Sequence, residues 1–182
     1  MKILFIDTET GGLKHEKHSL LTIALAVYSD HKIVDEKEIA IKHRDYVVNT
    51  KALEINKINL VEHDKIAIVS KEAVQEIITF IKKNFGDEKP IIAGHNVEFD
   101  YKFLDKLFFN EKEYLWKYVS HRKLDTCSLM NFLIITERIK LESASLESAI
   151  SYFDIETNAR HTAKDDVRAT IYLYENINSF LE

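Results

Sequence analysis

Phe5-Ile6-Asp7-Thr8-Glu9-Thr10-Gly11-Gly12-Leu13 is the stretch whose reading decides the fold. The apolar run Ile3-Leu4-Phe5-Ile6 predicts a short buried strand, stopped at its C-terminal end by Asp7-Thr8-Glu9. Asp7 and Glu9 stand at i and i+2, and the two-residue period of a strand points both carboxylates to one side. A strand end of this kind is suited to holding a divalent cation.

Working outward, three β-rich segments at roughly 2–7, 19–28 and 32–42 are separated by short polar stretches and predict an antiparallel meander. The pattern then changes period. Ser70 reads as the N-cap of a helix whose apolar face is Val74, Ile77, Ile78, Ile81 and Phe85, with Gly86 as the stop. Pro90 leads into a buried strand, Ile91-Ile92-Ala93, followed by a helix bearing Phe103, Leu104, Leu107 and Phe108. A strand near Lys123–Thr126 and three helical stretches complete the chain. Strands first, then alternating α and β, imply an α/β fold on a mixed sheet.

Composition sets the outer bounds. With 182 residues, 46% hydrophobic and 30% charged, the chain can bury one sizeable core, so residues 1–182 are expected to form a single domain. Cys127, the one cysteine, cannot form an internal disulfide, which fits a reducing compartment. The apolar run at the start is too short for a signal-peptide core, and no stretch approaches membrane-spanning length. A cytoplasmic protein without a membrane partner is expected. The net charge of −5 argues against a broad basic track for duplex nucleic acid, because such binding needs clustered Lys and Arg. Four glycines and one proline leave no flexible linker, and Gly11, Gly12 and Gly94 flank the residues singled out here.

Gly94-His95-Asn96-Val97-Glu98-Phe99-Asp100 is the second constellation. Asn96 reads as an N-cap, which places Asp100 one turn inside a helix whose positive N-terminal end favours a carboxylate and a phosphate beside it. Taken alone, a mere cap and a surface charge explain the pair equally well. His161-Thr162-Ala163-Lys164-Asp165-Asp166 is the third. On one continuous helix, positions five apart lie about 140° apart, so His161 and Asp166 would not face a common site. Thr162, with Asp165 three residues on, makes a capping box, opens the helix at Thr162 and leaves His161 outside it. Asp166 then points inward above Ala169, Thr170 and Leu173.

Asp-x-Glu on the first strand, Asn-x-x-Phe-Asp at a strand-to-helix turn and His-x-x-x-x-Asp opening the last helix together closely resemble the three motifs of the DEDDh (DnaQ-like) 3′→5′ exonucleases. The resemblance spans residues 2 to about 175, and the first motif is more similar to the proofreading branch than to the oligoribonuclease branch. Gly11 departs from that branch, which often has threonine there, and is expected to loosen the loop. A Tyr-x-x-x-Asp spacing, the mark of a sister branch, occurs at Tyr101 and Asp105, but it overlaps the second motif and reads as ordinary helix.

The resemblance implies a ribonuclease H-like fold with a five-stranded mixed sheet flanked by helices, and a two-metal phosphodiesterase using Mg²⁺ or Mn²⁺. Asp7, Glu9 and Asp166 would hold the ion beside the attacking water, Asp7 would bridge to a second ion, and Asp100 would support that second ion. His161 would act as general base. Thr8, Thr10, Asn96, Leu13 and Phe99 would contact the last nucleotides of a single-stranded 3′ end, with Leu13 and Phe99 wedging and stacking bases; a core leucine closing the loop is an equal reading of Leu13. The implied product is a 5′-mononucleotide, with DNA favoured over RNA. An exoribonuclease and a catalytically silent strand-binding module are the alternatives, and an end-blocked strand separates an exonuclease from an endonuclease of the same fold.

A DNA polymerase is a candidate partner, through the globular surface because the chain closes at Glu182 after its last helix; monomer and homodimer both fit. Asp125 is open between a partner to the acidic set and a turn residue. His95 reads as structural, and His15, His18, His31, His43, His63 and His121 as solvated.

Overall fold

The computed structural model describes residues 1–157 and 162–181. Its first half is the expected meander: β1 (Ile3–Thr10), β2 (Leu20–Ser29) and β3 (Lys32–Lys42) pair antiparallel, Phe5 opposite Ala26 and Ala26 opposite Glu36. Two short helices follow, α1 (Thr50–Asn56) and α2 (Leu60–Ile66), then a two-residue strand β4 (Ile68–Val69) and the long helix α3 (Ser70–Phe85). Next come β5 (Ile92–Gly94), α4 (Val97–Asn110), β6 (Lys123–Asp125), α5 (Thr126–Ile135), α6 (Leu146–Tyr152) and α7 (Ala163–Leu181).

The sheet has six strands in the order β4-β3-β2-β1-β5-β6, not five. The additional strand is β4, which pairs parallel to the end of β3 through Ile41 and Ile68 and is too short to carry a periodic signal. Two further expectations are corrected. Ser70 is the first helical residue of α3, and Val69 occupies the cap position without a side-chain bond. β1 runs three residues beyond the expected end, because β2 continues to pair with it past Asp7 as far as Thr10.

Helices cover both faces of the sheet, so β2 is buried along its entire length. On one face, Leu4, Ile6, Ile23 and Leu25 pack with Ile77 and Ile81 of α3 and with Phe103, Leu107 and Phe108 of α4. On the other, Ile3, Phe5, Ala24 and Ala26 pack with Ala163, Val167 and Ile171 of α7. Each such leucine, isoleucine or phenylalanine contributes about 1.5–3 kcal/mol by leaving water. The alanines of β2 have a separate role: their small side chains let α7 lie close to the sheet.

This parity positions everything that follows. Along β1, even residues face α3 and α4 while odd residues face α7. Asp7 and Glu9 continue the odd set towards α7, and Thr8 continues the even set towards α4. Parallel pairing of β1 with β5 (Leu4 opposite Ile92) brings the start of α4 beside the same strand end. A Cβ on Gly94 would stand 3.0 Å from the Ile6 carbonyl oxygen, so a side chain there would push β5 off β1.

Candidate active site

Asp7 and Glu9 on β1 and Asp166 in the first turn of α7 converge, with one carboxylate oxygen of each within 4.8 Å of the others. Asp100 enters from the opposite face. It lies in the first turn of α4, is buried, and accepts a 2.6 Å hydrogen bond from the Thr8 hydroxyl. Strand parity thus divides the acids: the odd side of β1 supplies two, and the even side ties a third to the same strand through Thr8.

Burial and repulsion disfavour ionisation of Asp7, Glu9 and Asp100. Burial first, then the charges of Asp100, Asp166 and Glu9, hold the Asp7 carboxyl well above the usual carboxylate range. Glu9 is pushed up to about 8 by burial, then by Asp166, Asp100 and Glu38. Asp100 is pushed up to about 7 by burial, against the opposing bond from Thr8. A cluster of this kind binds protons or cations. Its all-oxygen donor set suits a hard divalent ion such as Mg²⁺ or Mn²⁺.

The start of α7 is capped as the sequence implies. The Thr162 hydroxyl donates to Asp165 Oδ2 (2.7 Å) and accepts the Asp165 N–H (3.1 Å), while the Thr162 carbonyl accepts the Asp166 N–H (3.0 Å). His161 lies outside the described residues. Sequence reasoning missed what fixes this turn against the sheet. Glu36 on β3 accepts a forked pair from Arg168 (Nε 2.8 Å, Nη2 2.5 Å) and a bond from Lys164 Nζ (2.8 Å), and Glu38 accepts the Lys164 N–H at 3.1 Å. Lys164 and Arg168 are four apart on one helix side, and Glu36 and Glu38 are two apart on one strand face. Those spacings were the available signal.

The turn before α4 differs from the expectation. Asn96 holds the cap position but adopts the left-handed region (φ 62°, ψ 43°) and makes no side-chain cap bond. Asparagine tolerates that region, and there its side chain is turned away from the amides a cap would meet. Instead the Asn96 N–H donates to Asp125 Oδ1 at 2.7 Å. Asp125 also accepts the Cys127 N–H (3.2 Å) and the Ser128 hydroxyl (2.7 Å), so it caps α5 and ties the two turns together. Of its two readings, the turn role is the one observed.

The loop after β1 is not loose. Gly11 donates to the Ser19 carbonyl and accepts from Asn49 N–H, both at 2.8 Å, and a Cβ on it would stand 2.3 Å from the Val47 carbonyl oxygen. The 47–49 segment fills the space of the missing side chain. The Thr10 hydroxyl donates to the Gly12 carbonyl at 3.0 Å. Leu13 is 83% exposed, which discards its reading as a core leucine. Phe99 is half-buried against Phe103, ring centroids 5.0 Å apart.

Leu13 and Phe99 border a cleft of about 420 Å³ together with Thr8, Glu9, Ala52 and Ile55. Ala52 and Ile55 belong to α1, which the sequence reading missed because seven residues are too few for a periodic pattern; Asn49, whose side chain accepts the Ala52 N–H, was its one visible mark.

His95 is structural, as expected: Nε2–H donates to the Ala144 carbonyl at 2.8 Å, Nδ1 lies 2.9 Å from Thr126 Oγ1, and burial lowers its pKa. His63 and His43 are not solvated. The first is buried with Nε2 2.9 Å from the Leu21 carbonyl, and the second bonds the Leu20 carbonyl at 2.7 Å, so both satisfy main chain of β2. Tyr101 and Asp105 are helix residues of α4, with Lys123 Nζ 3.5 Å above the tyrosine ring. Among the described residues, no helix is long and apolar enough to cross a membrane.

Comparison with known proteins gives the family and the fold. Residues 4–174 match the exonuclease family RNase_T. The chain is 28% identical over 172 residues to a PolC-type DNA polymerase III of Thermotoga petrophila, covering 93% of this chain and 11% of that protein. It is 26% identical over 178 residues to DNA polymerase III subunit epsilon of Treponema pallidum, covering 92% of this chain and 72% of that one. E. coli exonuclease I, solved in complex with a dT13 oligonucleotide, superposes with a TM-score of 0.83 at 20% identity, over 98% of this chain and 41% of its own. The chain therefore spans only a minor part of some relatives, and the ribonuclease H-like α/β fold is shared with exonuclease I.

Proposed function

The chain belongs to the exonuclease family that its sequence matches, and from that premise we propose that it removes nucleotides from the 3′ end of single-stranded nucleic acid, DNA in preference, as 5′-mononucleotides. The observation that carries the proposal is the convergence of Asp7, Glu9 and Asp166 within 4.8 Å. As in the relatives named for DNA polymerase III, a polymerase is the proposed partner. The proposed exonuclease unit is one domain, working in the cytoplasm.

Asp7, Glu9 and Asp166 would hold divalent cations, with Asp100 completing the set. Two Mg²⁺ or Mn²⁺ ions bound there would supply charge stabilisation to both the attacking and the departing oxygens of the phosphate. The chain's own residues do the rest. Thr8 fixes Asp100 against β1, so the fourth carboxylate is oriented before anything binds. The Thr162 cap opens α7 one residue after His161, and His161 would take the proton from the attacking water. Leu13 and Phe99, on the walls of one cleft, would hold the last bases and keep the strand unpaired. The hydroxyls of Thr8 and Thr10 are already bonded within the protein, so their contribution to substrate is through main chain. The Asn96 side chain, with no cap to make, borders the neighbouring cleft with Leu13 and is available to the substrate.

The test is a 5′-labelled single strand with Mn²⁺, alongside the same strand blocked at its 3′ end. The labelled strand is expected to shorten one nucleotide at a time and the blocked one to survive. Cutting of the blocked strand would overturn the proposal, and matched DNA and RNA strands give the sugar preference.

A further inference from the structure

The acidic site opens into a trough that continues well beyond it. The cleft bounded by Glu9, Leu13 and Phe99 shares Leu13 and Phe99 with a second of about 350 Å³, which in turn shares His15, Glu98 and Lys102 with a third of about 560 Å³. The third follows α4 as far as Phe109. Glu98, Lys102, Asp105 and Phe109 recur at helical spacing and form one stripe along α4, which at 1.5 Å per residue is about 16 Å long. The loop after β1 walls the other side, held by Lys106 Nζ on the His15 carbonyl (2.6 Å) and by the His15 ring against Phe103 (centroids 6.2 Å).

The chemistry of the trough is specific. Apolar groups stand along it: exposed Leu13 at the near end, half-buried Phe99 beside it, and Phe109, 68% exposed, at the far end. Its charges balance, with Lys14, Lys102 and Lys106 against Glu16, Glu98 and Asp105. Glu98 is already engaged by Lys123 (2.5 Å) and Lys102 (3.6 Å), while Lys14 makes no ion pair among the described residues. A groove built to grip phosphates would carry an excess of cations. This one carries spaced rings.

We propose that the trough binds the nucleotides upstream of the cleaved one, about five at the 3.4 Å spacing of a stacked strand, chiefly by base stacking, with Phe109 as the far platform. The proposal rests on the exonuclease reading above, which places the strand end at the start of the trough. It also fixes a direction: the strand leaves the acidic site along α4.

The test uses 5′-labelled single strands of two to twelve nucleotides with Mn²⁺, reading KM and kcat separately. KM is expected to fall with length up to about six nucleotides and then level off, with kcat constant. Phe109→Ala should raise KM on an octamer about tenfold, the worth of one stacked base, and less on a dinucleotide. Its melting temperature should match wild type, since the ring is exposed. Trp116→Ala, an exposed aromatic outside the trough, should leave every KM unchanged. KM should rise only shallowly with salt, with a log–log slope near one.

A KM independent of length, an unaffected Phe109→Ala octamer KM, or a salt slope of about three or more overturns the proposal while dinucleotide turnover upholds the exonuclease reading. If no strand is cut at any length, that reading fails, and anisotropy of a labelled octamer decides the trough. Weaker binding by Phe109→Ala than by wild type supports it, and equal binding overturns it.

Discussion

The first turns of α7 meet the sheet in two places of opposite character. Towards β1, Asp166 meets Asp7 and Glu9, whose carboxyls burial and repulsion hold above the ordinary carboxylate range. Towards β3, Lys164 and Arg168 close on Glu36, and the Arg168 bonds hold that carboxyl below the ordinary range. Both contacts set a strand carboxylate against the same helix. One is compensated by cations and contributes to stability; in the other, burial and repulsion act on Asp7 and Glu9 and cost stability. The difference shows where the fold tolerates strain for a ligand to relieve, and the compensated contact holds the helix in place while it does so.

The largest effect expected is on the acidic side. Asp7→Asn should lower kcat by about three orders of magnitude, as loss of a central electrostatic group does, yet raise the melting temperature of the metal-free protein by about 2–4 °C by removing repulsion. The same variant should lose the stabilisation that saturating Mg²⁺ gives wild type, about 5–10 °C by mass action. Thermal melts with and without the ion check both; a destabilised metal-free variant would break the comparison.

Next, His161→Ala should lower kcat by about 10²–10⁴-fold, the usual worth of a general base, while keeping the full Mg²⁺-induced shift. Loss of that shift would assign His161 to the metal instead.

The two contacts also carry opposite pH signs, which sharpens the contrast. Glu9 and Asp100, raised to about 8 and about 7, favour the folded state while protonated, so their contribution is complete below the ordinary carboxylate pKa and is lost as pH rises to about 8. Glu36, lowered, contributes above the ordinary carboxylate pKa and is lost as acid titrates it. The metal-free melting temperature should therefore fall between about pH 5 and 8, and saturating Mg²⁺ should flatten that fall. A metal-free profile that rises over the same interval would refute the cluster's electrostatics.

The smallest effect is on the compensated side. Glu36→Ala should cost about 1–3 kcal/mol, or roughly 3–10 °C, by breaking a partly exposed network, and lower kcat less than tenfold. A loss of activity as large as that of Asp7→Asn would erase the distinction between the two contacts.

The acidic set was legible in the residues because strand period and helix capping are local rules. Asp7 and Glu9 share a side whatever surrounds them, and Thr162 caps α7 through atoms three residues away. Much of what escaped has partners distant in sequence. Glu36 meets Arg168 across 132 positions, and the local spacings mark each charged face without pairing the two. His63 reads as solvated until β2 offers it a carbonyl. Asn96 carries the composition of a cap, but the bond to Asp125 selects a left-handed backbone that no local rule predicts. The helix α1 and strand β4 were lost to brevity, since seven and two residues cannot display a period.

The alternation along β1 also limits how such a chain can change. Because odd residues serve α7 and even residues serve α4, one residue inserted between Ile6 and Asp7 would send both carboxylates to the α4 side and Thr8 to the α7 side. No point substitution restores that frame. Insertions are better absorbed at Asp30-His31, the exposed left-handed turn between β2 and β3 at the far end of the meander. In this fold, then, change by lengthening belongs to the turns, and the first strand is open only to change by substitution.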